Sequence, residues 1–256
     1  MAVPEHAYDI LPFETRFAAM ASDYPFAGVG FNALRMLTRQ QITDLYRRRA
    51  KNYDLTVQLY NLLGFRIGSY RQEAIDSLHL KSGDIVVDIA CGTGANFPML
   101  REKVGQNGKI IGVDFTDAML AEARERVKKR QWCNVELVQS DVASYEFPGR
   151  VDAVISTFAI IYVPEFDDVI RKGSRALVAG GRLVVLDFKL PDGWISRLAP
   201  FAVVDTRPWG LTKEMASRHP WESIAKYMKP MPMKQRYGGF VFIAAGEQEG
   251  NALTFS

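Results

Sequence analysis

The spacing of apolar positions changes character twice along the chain. Up to about residue 80 it is helical: Phe31, Leu34, Leu37 or Thr38, Ile42 and Leu45 recur at helical intervals. Further helical patterns cover residues 56–63 and 67–78, and the last stops before Lys81-Ser82-Gly83-Asp84. From Asp84 onward short β-branched runs alternate with helical segments. Strands are expected over 85–89, 109–113, 135–138, 151–156 and 182–188, and helices over 96–104, 118–130 and 166–177. Ala179-Gly180-Gly181 reads as the stop of the last helix and the opening of the fifth strand. Such alternation implies right-handed βαβ units and a doubly wound parallel sheet.

A third rhythm follows. Residues 191–229 hold four of the twelve prolines and three of the four tryptophans, Trp194, Trp209 and Trp221. They read as an irregular, partly helical insertion. Residues 233–237 and 240–245 then form two short strands joined at Gly238-Gly239, a hairpin that adds an antiparallel edge. The expected organisation is a helical N-terminal lid over residues 1–80 and an α/β domain over 81–256.

Composition narrows the classes. Thirty-two Lys and Arg against twenty-nine Asp and Glu leave a charge of +3, too small for a dedicated nucleic-acid binder. Cys91 and Cys133 cannot build a disulfide framework, and His6, His79 and His219 stand far apart, so no metal site is expected. No apolar run approaches the roughly 20 residues of a membrane span, and residues 1–11 lack a secretory pattern. A cytoplasmic location is expected.

Chemistry concentrates where the first strand turns into its helix, at Asp88-Ile89-Ala90-Cys91-Gly92-Thr93-Gly94-Ala95-Asn96. Gly92 and Gly94 allow either close ligand approach or merely a tight turn. The dinucleotide fingerprint needs a third glycine at 97, where Phe97 stands, and Asp88 places a carboxylate unhelpful to a pyrophosphate. A ligand with an ammonium and a sulfonium fits better, which points to S-adenosylmethionine (SAM). Asp114 ends the second strand 20 residues after Gly94, the separation at which a carboxylate reaches ribose hydroxyls. Phe115 could cover one adenine face, with Met119 a turn beyond. Asp141 could accept the adenine amino hydrogens while Val142 packs on the ring, and Ser156-Thr157-Phe158 would face the methionine part. Asp114 and Asp141 could instead be loop-capping aspartates.

Asp88 to Asn96, Gly112-Val113-Asp114, Ser140-Asp141-Val142 and Ala179 to Leu183 resemble the ordered motifs of class I SAM-dependent methyltransferases. Tyr46 to Asp54 resembles the segment preceding the core in ubiquinone/menaquinone C-methyltransferases, and is also similar to phospholipid and betaine-lipid N-methyltransferases; His219-Pro220-Trp221-Glu222-Ser223 is similar to the lipid-head-group branch. The resemblance implies a Rossmann-like fold with a mostly parallel seven-stranded sheet, SAM as cofactor, and Tyr53 closing over its methionine end. Tyr53 could otherwise be packed on its helix. The cofactor-binding set is then Tyr53, Asp88, Ala90, Gly92, Gly94, Asn96, Asp114, Phe115, Met119, Asp141, Val142 and Ser156.

Methyl transfer from a sulfonium is an in-line displacement that depends chiefly on orientation, so no catalytic dyad is required. His219 is the candidate general base, with a surface or core-satisfied histidine as the alternative. Tyr162 is the rival for orienting substrate. Ile160, Ile161, Trp194, Phe201 and Trp209 either line an apolar acceptor pocket or pack the insertion. Arg47, Arg48, Arg49 and Lys51 either meet an anionic head group or membrane surface or form a solvated helix face. A small-molecule or lipid-like acceptor is expected, a lipid amine or quinone-like ring being favoured. A natural-product methyltransferase and a SAM-binding module without turnover remain open. An NAD(P) oxidoreductase is disfavoured by Phe97 and by the lack of a Tyr-x-x-x-Lys pair.

Overall fold

The computed structural model describes residues 39–54, 57, 66–189, 215 and 217–250. The expectations for residues 1–38, for most of the helix at 56–63, and for Trp194, Phe201 and Trp209 lie outside them. Within them the order is α1 (Arg39–Arg49), α2 (Ile67–Ser77), β1 (Ile85–Ile89), α3 (Phe97–Val104), β2 (Lys109–Asp114), α4 (Asp117–Lys129), β3 (Val135–Gln139), β4 (Val151–Thr157), α5 (Phe166–Ala176), β5 (Leu177–Phe188), α6 (Pro220–Tyr227), β6 (Lys229–Pro230), β7 (Lys234–Arg236) and β8 (Val241–Glu247).

The strands form one sheet in the order β3-β2-β1-β4-β5-β8, and both β6 and β7 pair along the outer side of β8. The eight segments thus occupy seven positions, because the expected edge strand is interrupted. β1 to β5 run parallel, while β8 is antiparallel to β5 and to its two outer partners. The chain leaves β1 toward β2 and β3, then returns to the other side of β1 as β4. That reversal opens a crevice at the carboxyl ends of β1 and β4, where such sheets bind ligands.

Alternation along the strands divides two cores. Val86, Ile110, Ile155, Val184 and Ile243 face α2, α3 and α4, packing with Ala74, Ile75, Phe97, Leu100 and Leu120. Val87, Ile111, Val154, Val185 and Phe242 face the other way, with Val169 and Ile170 of α5 and Ile224 of α6. Covering both faces explains why the central strands read as continuous apolar runs. The end of the 191–229 stretch is a regular helix of this second layer.

One boundary differs from expectation. Helix α5 ends at Ala176 and Leu177 is already extended, so Ala179-Gly180-Gly181 does not stop the helix. The glycines lie inside β5, where Gly180 has φ 77° and its N–H donates to the Gln248 carbonyl at 2.8 Å. The pairing of β4 with β5 shifts register at this place. Two glycines are a breaker signal for either event, a helix end or a bulge.

Candidate active site

The crevice encloses about 970 Å³ of space free of protein atoms, part of it open to solvent. Its floor is the turn after β1. Ala90, Cys91, Gly92, Thr93 and Ala95 line it, together with Asp114, Phe115, Thr116 and Met119 from β2 and α4, and Asp141 and Val142 after β3. The other wall is apolar and aromatic: Ile42, Tyr46 and Tyr53 from the N-terminal segment meet Phe158, Tyr162, Val163 and Pro164 after β4.

The two glycines divide the labour. Gly92 has φ 57°, and a Cβ built on it would meet nothing within 4 Å, so a side chain there would project into open space. Gly94 has φ 73°, and a Cβ there would collide with the ring of Phe97. That ring is fully buried and also presses on Gly112, where a Cβ would lie 2.6 Å from its Cζ. Phe97, which denies the dinucleotide fingerprint its third glycine, therefore fills the space between α3 and the sheet.

Asp114 places a buried carboxylate in the crevice wall. Its Oδ2 accepts the Gly92 N–H at 2.8 Å and its Oδ1 the Thr116 N–H at 2.8 Å, which ties the end of β2 to the glycine turn. Burial pushes its pKa up, while these backbone donors oppose the shift. Each carboxylate oxygen retains acceptor capacity for a hydroxyl. Phe115 is the exposed large hydrophobic side chain among the described residues, at 44%. Asp141 Oδ1 accepts the Ala143 N–H at 3.0 Å, a loop-capping contact that coexists with its place in the wall. An open glycine, a buried carboxylate and apolar side chains from Phe115, Met119 and Val142 could together hold an adenosyl group.

Four of the expected residues lie behind this lining. Asp88 is fully buried, and both its oxygens accept from the Asn96 amide at 3.1 Å. The same amide donates to Thr157 Oγ1 at 3.1 Å, so Asn96 bridges the ends of β1 and β4. Gly94 and Asn96 serve the turn and this network. Ser156 is buried with an unpartnered Oγ, and its neighbour Thr157, one residue further along a longer strand, lines the crevice instead. His219 does not line the crevice. It is half-exposed, contacts Glu222 Oε1 at 2.9 Å through Nδ1, and stacks on Trp221.

The aromatic wall joins residues that the sequence offered singly, Tyr53 and Tyr162, to Tyr46, which opens the family-like segment. Tyr46 and Tyr162 are joined by a hydrogen bond, with ring centroids 6.4 Å apart, and Tyr53 lies 6.3 Å from Tyr46. Burial raises the pKa of all three, so they stay protonated at neutral pH. Asp187, at the end of β5, is fully buried and accepts the Ile161 and Phe188 N–H groups at 3.2 and 2.9 Å, holding the loop that carries Tyr162. Phe158 on the same loop has φ 57°, a strained conformation for a bulky side chain and one that clusters at functional sites. Among the described residues, no three His, Cys, Asp or Glu side chains converge to hold a metal ion.

Burial pushes the carboxyl groups of Asp88 and Asp187 up to about 7 from the ordinary 3.8. A carboxyl held above its unfolded value binds a proton more readily when folded, so it costs stability as pH rises from 3.8 toward 7. Asp76, Asp117, Asp167 and Asp168 are lowered, and their stabilisation is lost only as pH falls below that window. The melting temperature of the ligand-free protein is therefore expected to fall by roughly 5 °C between pH 5 and 7, with a shallower slope in Asp187→Asn. A flat wild-type profile in calorimetry would contradict this.

A model of the ubiE/COQ5 methyltransferase family matches residues 35–201, which include the whole β1–β5 half of the sheet and every crevice wall. The chain belongs to the ubiE/COQ5 methyltransferase family. The 2-phytyl-1,4-naphtoquinone methyltransferase of Thermosynechococcus vestitus is 31% identical over 199 residues, covering 74% of this chain and 84% of that protein. The demethylmenaquinone methyltransferase of Listeria welshimeri is 29% identical over 159 residues; the match spans 60% of this chain and 66% of the relative's length. Among solved structures, a SAM-dependent methyltransferase from Aquifex aeolicus superposes with a TM-score of 0.54 at 21% identity, over 70% of this chain and 89% of that one. Those strand ends therefore belong to the Rossmann-like methyltransferase fold.

Proposed function

We propose that this ubiE/COQ5 family member transfers a methyl group from SAM to a ring carbon of a reduced, quinone-type acceptor carrying an apolar tail. The single observation that carries this reading is the two-sided crevice, with an adenosyl-shaped half at β1–β3 and a tyrosine-lined apolar half at α1 and β4. SAM, when bound, supplies an electrophilic methyl group. In the donor half Asp114 would hold the ribose, Asp141 the adenine amino group, and Phe115, Met119 and Val142 the ring, with Gly92 and Ala90 giving backbone approach. Asp88 and Asn96 would act from beneath, by fixing the β1 turn against β4.

In the acceptor half, Ile42, Phe158, Val163 and Pro164 exclude water. With Tyr162 donating to Tyr46, the Tyr46 hydroxyl would hold a ring oxygen while the neighbouring carbon takes the methyl, S-adenosylhomocysteine leaves, and the displaced ring proton passes to solvent at the open side of the crevice. The raised pKa values of the two tyrosines keep them donors. Exposed Arg48 and Lys51, on the segment that walls this half, suit an anionic membrane surface from which a tailed acceptor could enter. No helix among the described residues is long and apolar enough to cross a membrane.

Residues 39–54 would form a lid held by two ties to α4. Arg126 pairs with Asp54 and donates through Nε to the Thr93 carbonyl at 2.9 Å, while Thr93 Oγ1 donates to Asp54 at 2.8 Å. Arg47 Nε donates to Asp117 at 2.7 Å. The second tie is surface-exposed and contributes little. Asp54→Asn is expected to raise the SAM KM about 3- to 10-fold with an almost unchanged melting temperature; an unchanged KM would show that the tie does not govern closure.

An acceptor panel tests the reading. With labelled SAM, a reduced 2-polyprenyl naphthoquinol should be methylated, its oxidised form should not, and phosphatidylethanolamine should remain unlabelled. Labelling of the lipid amine alone would assign the crevice to N-methylation.

A further inference from the structure

The wall between the two halves of the crevice contains a cation that the fold alone does not explain. Arg71, on α2, is 6% exposed. Its Nη1 donates to Asn96 Oδ1 at 2.8 Å and to Thr157 Oγ1, which places the guanidinium across the gap between the ends of β1 and β4. Its carbon centre stands 5.4 Å from the centroid of the Phe158 ring. Its Nε is buried without a hydrogen-bond partner, and among the described residues no carboxylate forms an ion pair with it. The buried Asp88 carboxylate acts on it only across Asn96, so a guanidinium whose direct partners are two neutral oxygens still has a donor for an anion at the crevice.

The position selects the anion. The adenine slot is at β3, the ribose carboxylate at β2 and the open glycine after β1. Continuing along the same line, the amino-acid end of an adenosyl donor falls over the β1–β4 gap, where Arg71 lines the crevice. The geometry points to Arg71 as the seat of the donor's methionine carboxylate. The guanidinium fork matches a carboxylate in shape and charge. Asn96 and Thr157 are then the groups that aim it, and the Asp88–Asn96–Arg71 network fixes the carboxylate end relative to the acceptor wall at Phe158. A neutral acceptor offers no such anion.

This inference rests on the SAM reading, and its test separates the two. Titration calorimetry would compare S-adenosylhomocysteine, its carboxamide, in which the carboxylate charge is removed, and 5′-methylthioadenosine, which lacks the amino-acid end. Wild-type protein should bind the carboxamide about 10- to 100-fold more weakly than S-adenosylhomocysteine. Arg71→Gln should lose a similar factor for S-adenosylhomocysteine and almost nothing for 5′-methylthioadenosine, and Arg71→Lys should recover part of the loss. Equal wild-type affinity for the acid and the carboxamide would overturn the assignment without any variant. So would a parallel loss for S-adenosylhomocysteine and 5′-methylthioadenosine in a folded Arg71→Gln protein, since that marks a structural role. Failure of wild-type protein to bind any of the three would refute the SAM reading itself.

Discussion

Asp114→Ala is expected to weaken S-adenosylhomocysteine binding by about 100-fold or more, because it removes the carboxylate proposed to accept from the ribose hydroxyls. It also releases the Gly92 and Thr116 N–H groups that the carboxylate fastens at 2.8 Å. Asp114→Asn keeps the shape and one acceptor oxygen, so its loss should be about tenfold. Calorimetric titration of both variants, alongside their circular dichroism spectra, separates ligand contact from turn collapse. A folded Asp114→Ala protein with wild-type affinity would remove the ribose from this place.

Gly94→Ala carries the largest expected cost to folding, about 2–5 kcal/mol. Left-handed backbone costs an L-residue about 1–2 kcal/mol, and overpacking a core adds about 1–3 kcal/mol. Both apply, since φ is 73° and the new methyl would enter the space of the Phe97 ring. Phe97→Leu vacates part of that space, so the double variant should be less destabilised than the two single changes summed. Gly92→Ala meets no neighbour and should cost about 1 kcal/mol of stability, while its methyl obstructs the crevice and weakens SAM binding. Urea unfolding with parallel titrations reads both. A Gly92→Ala protein with unaltered affinity would deny that the open face of that glycine receives the ligand.

The sheet was legible because β1 to β4 are buried runs bounded by turn residues, and period-2 burial leaves little freedom of register. Their observed ends fall within one residue of expectation, while β5 begins five residues early because its glycines make a bulge. Of the expected donor-side residues, Ala90, Gly92, Asp114, Phe115, Met119, Asp141 and Val142 line the crevice because they follow on strand ends, while Asp88, Gly94, Asn96 and Ser156 lie behind it. In the acceptor half Tyr162 was named singly, without its neighbours there. Tyr46, Phe158 and Tyr162 come from different segments, and only the packing of the N-terminal segment on the β4 loop brings them together.

Arg71 offered a signal of its own. The buried face of α2 is Ile67, Tyr70, Arg71, Ala74 and Ile75, so a charged residue occupies an apolar position at helical spacing. A cation on such a stripe needs a partner, and that question alone would have singled it out. Asp187 follows an apolar run as Asp88 does, yet carries no accompanying motif. Ser156 and Thr157 differ by one position along β4, enough to turn one toward the core and the other toward the crevice.

The most direct test of the central claim is the fate of the methyl group. Incubation with SAM bearing a deuterated methyl and a reduced, tailed 2-demethyl naphthoquinol should give one product carrying the label on ring carbon, read by mass spectrometry and carbon NMR. Label on oxygen, or on none of the acceptor while the protein still binds S-adenosylhomocysteine, would contradict it.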